Sequence, residues 1–187
     1  MTRPRRLLAV VSLFLLAAVA MGSGPRSDTQ AVTAAPTAAG YVLGPRDGEP
    51  LVGPNGGILV KVDPRTGSAR LAMGTQQVLT GKGIQVHQHA HEDEILFVHS
   101  GEAVGIVGDE RSRLEAGSTV YIPQGVWHGV ENPGSEVNLV WVVSPPGLES
   151  FFRDTRSTPG APAKTLSGEQ LEDIRRKHGM RVKPNRD

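Results

Sequence analysis

From residue 41 onward, short apolar runs alternate with turn residues along the chain. Ile58–Val62 ends at Asp63-Pro64-Arg65-Thr66-Gly67, in which Asp, Pro and Gly each favour a turn. Ala69–Met73, Gln76–Leu79 and Ile84–His89 follow as separate runs. Glu94–His99 stops at Ser100-Gly101, and Ala103–Val107 stops at Gly108-Asp109. Next come Arg111–Leu114, Thr119–Ile122 and Trp127–Glu131, the last closed by Asn132-Pro133-Gly134. Val137–Val143 is almost continuously apolar, which predicts a central strand covered on both faces. Strands about 8–12 residues apart, punctuated by turns, predict an all-β sandwich or barrel over residues 41–146.

Both ends of the chain break this period. Leu148–Arg153 predicts one or two amphipathic helical turns, with Phe151 and Phe152 packed back on the sheet. Thr155–Ala163 reads as a linker, and Ser167-Gly-Glu-Gln170 as a capping box opening a helix that Gly179 stops. Residues 147–187 are thus expected to form a short C-terminal helical extension laid against the barrel. At the other end Met1–Arg6 is basic and Leu7–Met21 is a 15-residue apolar run, shorter than the roughly 20 residues that span a bilayer. Ala18-Val19-Ala20 is a cleavage candidate, with later ones near Ala34 and Ala35. Residues 1–35 therefore predict a secretory signal peptide and disordered lead-in, with no stable membrane span once processed. The domain is then secreted or extracytoplasmic; an uncleaved membrane anchor is the alternative. Arg5-Arg6 ahead of leucines admits twin-arginine export beside the general route.

Composition narrows the function classes. The 187 residues suit one domain with extensions. Aromatics at 4%, with 23 Gly and 14 Pro, favour strands and turns over a helical bundle. Formal charge is +1. Residues 1–35 hold four basic residues (Arg3, Arg5, Arg6, Arg26) and one acid (Asp28), so the remainder carries 16 basic and 18 acidic residues, or −2. The basic character thus belongs to the export segment. Basic residues lack aromatic interleaving, so no nucleic-acid partner is expected. With no cysteine, neither a disulfide nor a lipid-modified cysteine can contribute, and stability rests on a core.

The chemistry concentrates in two stretches, Gly81-x5-His87-x-His89-x4-Glu94-x6-Gly101 and Gly117-x5-Pro123-x-Gly125-x2-His128-x3-Asn132. In a strand, residues two apart share a face, so His87 and His89 project together while Gln88 turns away. Glu94 follows the polar turn Ala90-His91-Glu92-Asp93, and His128 follows the Pro123-Gln124-Gly125 turn. Three imidazoles and a carboxylate suit a divalent transition metal: Fe, Mn, Ni, Co, Cu or Zn. Five of the six histidines fall within residues 87–128, a clustering that favours a site over scattered structural residues. In a six-coordinate ion, this ligand set leaves two positions open for water, substrate or dioxygen.

Both stretches resemble the two motifs of the cupin superfamily at every defined position, with a 15-residue spacer, Glu102–Ala116, as in small bacterial cupins. The resemblance covers roughly residues 50 to 145. More loosely, Pro146–Arg153 is similar to the segment after the barrel in quercetinase-like (quercetin dioxygenase-like) single-domain cupins. It implies an eight-stranded jelly roll, with His87, His89, Glu94 and His128 as metal ligands. His99, where leucine is ordinary, and Trp127, where a small residue or proline is usual, depart from the pattern. Alternation places Leu96 and Val98 toward the cavity and Ile95, Phe97 and His99 on the opposite face.

Three functions compete. The first is an exported metal-dependent dioxygenase acting on a small organic substrate. Glu94 would be the catalytic base, and Gln76, Gln85, Leu96, Val98 and Val120 the pocket lining. The second is a metal-dependent isomerase, decarboxylase or lyase, which needs a separate acid or base, with Tyr121 and Glu131 as the candidates. The third is a non-catalytic metal- or small-ligand-binding module. The outward face of Glu94–His99 is the expected contact of a homodimer. His91 and His178 are read as a turn residue and a helix C-terminal residue.

Overall fold

The structure, a computed structural model, describes residues 39–184. The export segment expected over residues 1–35 lies outside the described residues. Alternation dictates the layers. β1 (Glu49–Gly53) and β2 (Gly56–Val62) form a hairpin, joined by β3 (Ala72–Val78). With β10 (Val137–Ser144), β5 (Asp93–Ser100) and β8 (Thr119–Ile122) they make a six-stranded antiparallel sheet in the order β1-β2-β3-β10-β5-β8. The second sheet runs β11 (Met180–Val182), β4 (Gly83–His89), β9 (His128–Glu131), β6 (Glu102–Val107), β7 (Glu110–Glu115). The fold is the mostly-β, two-sheet jelly roll expected, with two short C-terminal helices, α1 (Leu148–Thr155) and α2 (Gly168–Lys177).

The core lies between the sheets. Val137, Leu139, Trp141 and Val143 of β10, Leu96 and Val98 of β5 and Ile58 and Val60 of β2 share the buried face of the six-stranded sheet, and Ala103, Leu114 and Val130 come from the five-stranded one. Trp141 pairs with Gly74 across the β10–β3 ladder. A Cβ on Gly74 would stand 2.3 Å from the Leu59 carbonyl oxygen and 2.5 Å from the indole. Glycine at 74 therefore serves close backbone approach. The two runs expected as separate strands, Ala69–Met73 and Gln76–Leu79, are one strand, β3, because that glycine packs under tryptophan inside a continuous ladder.

Three further expectations are corrected. β10 is buried on its inner face only; Asn138, Val140 and Val142 are half-buried on an open outer face. There are eleven strands among the described residues instead of eight, since β1 and β2 extend one sheet and β11 the other. The C-terminal extension is also more than helical. Gly179, at φ 63°, turns the chain out of α2 into β11. That strand then pairs with β4, Met180 opposite His89 and Val182 opposite His87. β4 would otherwise be an open edge, and pairing it satisfies its backbone groups.

Ion pairs fasten the helices. Arg153 of α1 reaches Glu49 at 2.7 Å and also the buried Asp63. Asp154 Oδ2 accepts from Lys177 Nζ and contacts His178 Nε2, each at 2.8 Å, tying α1 to α2. Among the described residues, no helix is long and apolar enough to cross a membrane.

Candidate metal centre

Strand pleat and two turns assemble the centre. His87 and His89 occupy alternate positions at the end of β4, and both are buried. The turn at residues 90–92 delivers Glu94 on β5, also buried. His128 opens β9 directly opposite His87. The turn before it is held by Asp93, whose Oδ1 accepts from the Gln124 N–H at 2.8 Å, and by the His89 carbonyl, which accepts from the Gly125 N–H at 2.8 Å. Gly125 takes φ 77°, a left-handed conformation glycine adopts without strain.

The four side chains converge on one point, with their nearest ligand atoms all within 4.8 Å of one another. His128 Nε2 lies 2.9 Å and His89 Nε2 3.3 Å from Glu94 Oε2, while His87 Nε2 and His89 Nε2 are 3.2 Å apart. Donors about 2.1 Å from a shared ion stand roughly 3 Å apart when they are neighbours, so the spacing fits. Hydrogen-bond chemistry supports the same reading. The Nδ1 atoms of His87 and His128 lie 2.8 and 2.9 Å from the carbonyl oxygens of Gln85 and Val126. Placing the proton on Nδ1 satisfies those carbonyls and turns a bare Nε2 lone pair toward the centre. Glu94 Oε2 and His128 Nε2 are buried with no aligned partner despite their proximity. A buried cluster of lone pairs is costly unless a cation sits among them.

Electrostatics keep the donors in ligand form. Burial, reinforced by neighbouring His128 and His89, lowers His87 to about 3. For Glu94, burial raises the carboxyl, but the facing His128 and His89 outweigh it and hold it at about 2. The carboxylate and the His87 imidazole are therefore deprotonated at neutral pH.

Residues 74–145 match the cupin domain family model. That segment is similar to cupin domains. It contains all four converging residues, and cupins bind small molecules. The wider chain has partial relatives. It is 37% identical over 68 residues to mannose-1-phosphate guanylyltransferase 2 of Escherichia coli O157:H7, covering 36% of this chain and 14% of that protein. It is 29% identical over 94 residues to the tetracenomycin polyketide synthase protein TcmJ of Streptomyces glaucescens, covering 49% of this chain and 63% of the relative. The chain thus spans less than two thirds of either protein. An RmlC-like cupin from Shewanella frigidimarina superposes with a TM-score of 0.53 at 19% identity, over 61% of this chain and 98% of that one. That likeness concerns the fold.

A cavity of about 370 Å³ opens beside the cupin centre, and His87, Glu94 and His128 form part of its wall. Gln76, Gln85 and Leu96 line it as expected. Val98 and Val120 do not: Val98 is consumed by the core, and Val120 packs against it. The C-terminal extension supplies the far wall, with Phe151 and Phe152 from α1, Leu171 and Arg175 from α2, and Arg156 between them. Tyr121 is exposed, its hydroxyl donating to Asp93, and Glu131 is exposed and paired with Arg111. Neither is a second acid or base at the cupin centre. His99 faces outward, and His178 pairs with Asp154.

Spacing in the sequence selects Glu94, and the fold also brings Glu92 to the centre. It is buried, its Oε2 has no hydrogen-bond partner, and that oxygen lies 3.8 Å from His89 Nδ1. Burial raises its carboxyl above the ordinary range. It stands behind His89 where the carbonyls stand behind His87 and His128. Only the turn geometry reveals this position.

Proposed function

We propose that this chain is a metal-dependent cupin dioxygenase acting on a small, oxygen-bearing organic molecule, with His87, His89, Glu94 and His128 holding a divalent transition ion. One observation carries the reading: four buried, convergent donors border a cavity large enough for an organic ligand. A bound ion would supply Lewis-acid activation of a substrate oxygen and, if redox-active, a site for O₂. In such a reaction both atoms of O₂ enter the product.

The chain's own residues divide the remaining work. Leu96, Phe151 and Phe152 exclude water and hold the carbon skeleton. Gln76, whose side chain makes no hydrogen bond to the described residues, is free to donate its amide to a substrate oxygen. Glu94, as a buried carboxylate, accepts the proton of an enol or hydroxyl and returns it to the product. The polyketide association in the name of the Streptomyces glaucescens relative favours an enolisable, oxygen-rich substrate. Isomerase or lyase chemistry is less favoured, since Tyr121 and Glu131 point away from the cavity.

Assays of the iron, manganese, nickel and cobalt forms against flavonols and diketones, with and without O₂, test the reaction. Product carrying two ¹⁸O atoms from ¹⁸O₂ supports it, whereas turnover that persists anaerobically removes it. The basic-then-apolar N-terminal segment supports export of the domain, which cell fractionation and N-terminal sequencing of the mature protein would check. Self-association of two copies is supported by Ile95, Phe97 and Tyr121, which are 41%, 38% and 58% exposed on one sheet face. Phe97→Glu should convert a dimer to a monomer in light scattering, and a monomeric wild type would remove the idea.

A further inference from the structure

Arg156 follows α1 and lines the same cavity as the cupin centre. Its Nε and Nη1 are buried, and neither has a hydrogen-bond partner. No carboxylate among the described residues pairs with it; its guanidinium carbon instead lies 5.3 Å from the centroid of the Phe152 ring. Burial without a counter-ion lowers its pKa from the ordinary arginine value. The two other cations on the wall differ from it. Arg175 is paired with Glu172, and Lys164 donates to the carbonyls of Arg153 and Asp154. Glu94 is the one carboxylate on the wall among the described residues, and it is engaged with the histidines. A buried, uncompensated guanidinium is costly, and it is sustained where something outside the fold supplies the missing acceptor.

We propose that Arg156 is a substrate-binding residue and that the cavity takes a small organic carboxylate, its acid group on Arg156 and its second oxygen group toward His87, Glu94 and His128. This rests on the metal-dependent reading of the site. A carboxylate would supply the one negative charge that Arg156 lacks within the fold, through charge-assisted N–H···O bonds. A phosphate dianion needs more free donors than the wall offers, since Arg175 is paired with Glu172 and Lys164 donates to two backbone carbonyls. Phe151, Phe152 and Leu96 suit an apolar or aromatic body between the two polar ends. With a divalent ion held by three neutral imidazoles and one carboxylate, the centre carries net +1, and Arg156 adds to the field that attracts an anion.

The test uses cobalt-loaded full-length protein and two probes of the same shape, 3,4-dihydroxybenzoate and its neutral amide, in isothermal titration. The wild type should bind the acid about tenfold or more tightly than the amide. Arg156→Gln should erase that preference while leaving amide affinity and cobalt content unchanged, and Arg156→Lys should retain part of it, as a charge without the fork. Thermal unfolding supplies a second readout. Arg156→Gln should melt at or above the wild-type temperature, because an uncompensated buried charge is removed, whereas a merely structural arginine would lower it. Equal binding of acid and amide, no binding of the acid up to about 10 mM, or a preference that survives Arg156→Gln overturns the assignment. Cobalt stoichiometry, read on the same samples, separates these outcomes from failure of the metal reading. Wild-type protein that takes up no cobalt counts against the metal reading, while the acid-over-amide preference and its loss in Arg156→Gln still decide the assignment of Arg156.

Discussion

His87 and His128 show how one backbone contact sets a side chain's chemistry. Each Nδ1 sits against the carbonyl oxygen two residues upstream, which leaves Nε2 to face the centre. His89 has no such carbonyl and stands instead before Glu92. Glu92→Ala should therefore weaken metal binding by roughly tenfold or more in a chelator competition, without removing any of the four donors. An unchanged affinity would make Glu92 a bystander. Gly74 poses the packing counterpart. Gly74→Ala forces a methyl into the Leu59 carbonyl and the Trp141 ring, and urea unfolding should report a loss of about 3 kcal/mol. The His87–His89 pair was legible in the sequence because strand alternation needs no partner to interpret. Glu92 and Gly74 were not, since their meaning depends on the turn geometry and on which ring lies opposite.

Elements position these residues in pairs. β4 carries two of the proposed ligands and is flanked by β9, which carries a third, and by β11. The C-terminal extension thus braces the strand that presents His87 and His89 while forming the far wall of the cavity. Its two helices are joined through Asp154, whose carboxyl is held below its ordinary value first by His178 and then by Lys177. A depressed carboxyl stabilises the fold above its unfolded pKa of about 4, and that contribution disappears as pH falls through the lower folded value. Asp154→Asn should consequently cost about 0.5 kcal/mol at pH 7, the scale of a partly exposed pair. Melting curves of wild type and variant should converge in acid, once the pH has fallen below the lowered folded value. A difference that persists in strong acid would assign the effect to packing.

For the whole molecule, the proposed ion couples the two sheets. His87, His89 and His128 stand on the five-stranded sheet and Glu94 on the six-stranded one. A ligand bound only by the folded state stabilises it by mass action, about 4 kcal/mol when its concentration is a thousandfold above its dissociation constant. Calorimetry before and after chelation should show a substantial drop in melting temperature that added metal restores. His128→Ala should melt like the chelated wild type and ignore the metal, and a melting point indifferent to chelator would remove the coupling.

Much of this protein is determined along the chain. Alternation, turn residues and the spacing of His87, His89, Glu94 and His128 specify strands, faces and a donor set, because each depends on neighbours within a few positions. The capping box at Ser167 likewise marks the start of α2 from local hydrogen bonding alone. Tertiary structure decided what faces what. It joined two apolar runs into β3 beneath Trp141, turned the end of a helical extension into β11, and moved Val98 from the cavity to the core. It also carried Arg156 to the wall shared with the cupin centre. Nothing near Arg156 in sequence marks it, because its lack of a counter-charge is a property of the enclosed space, which exists only after both sheets and the extension have packed.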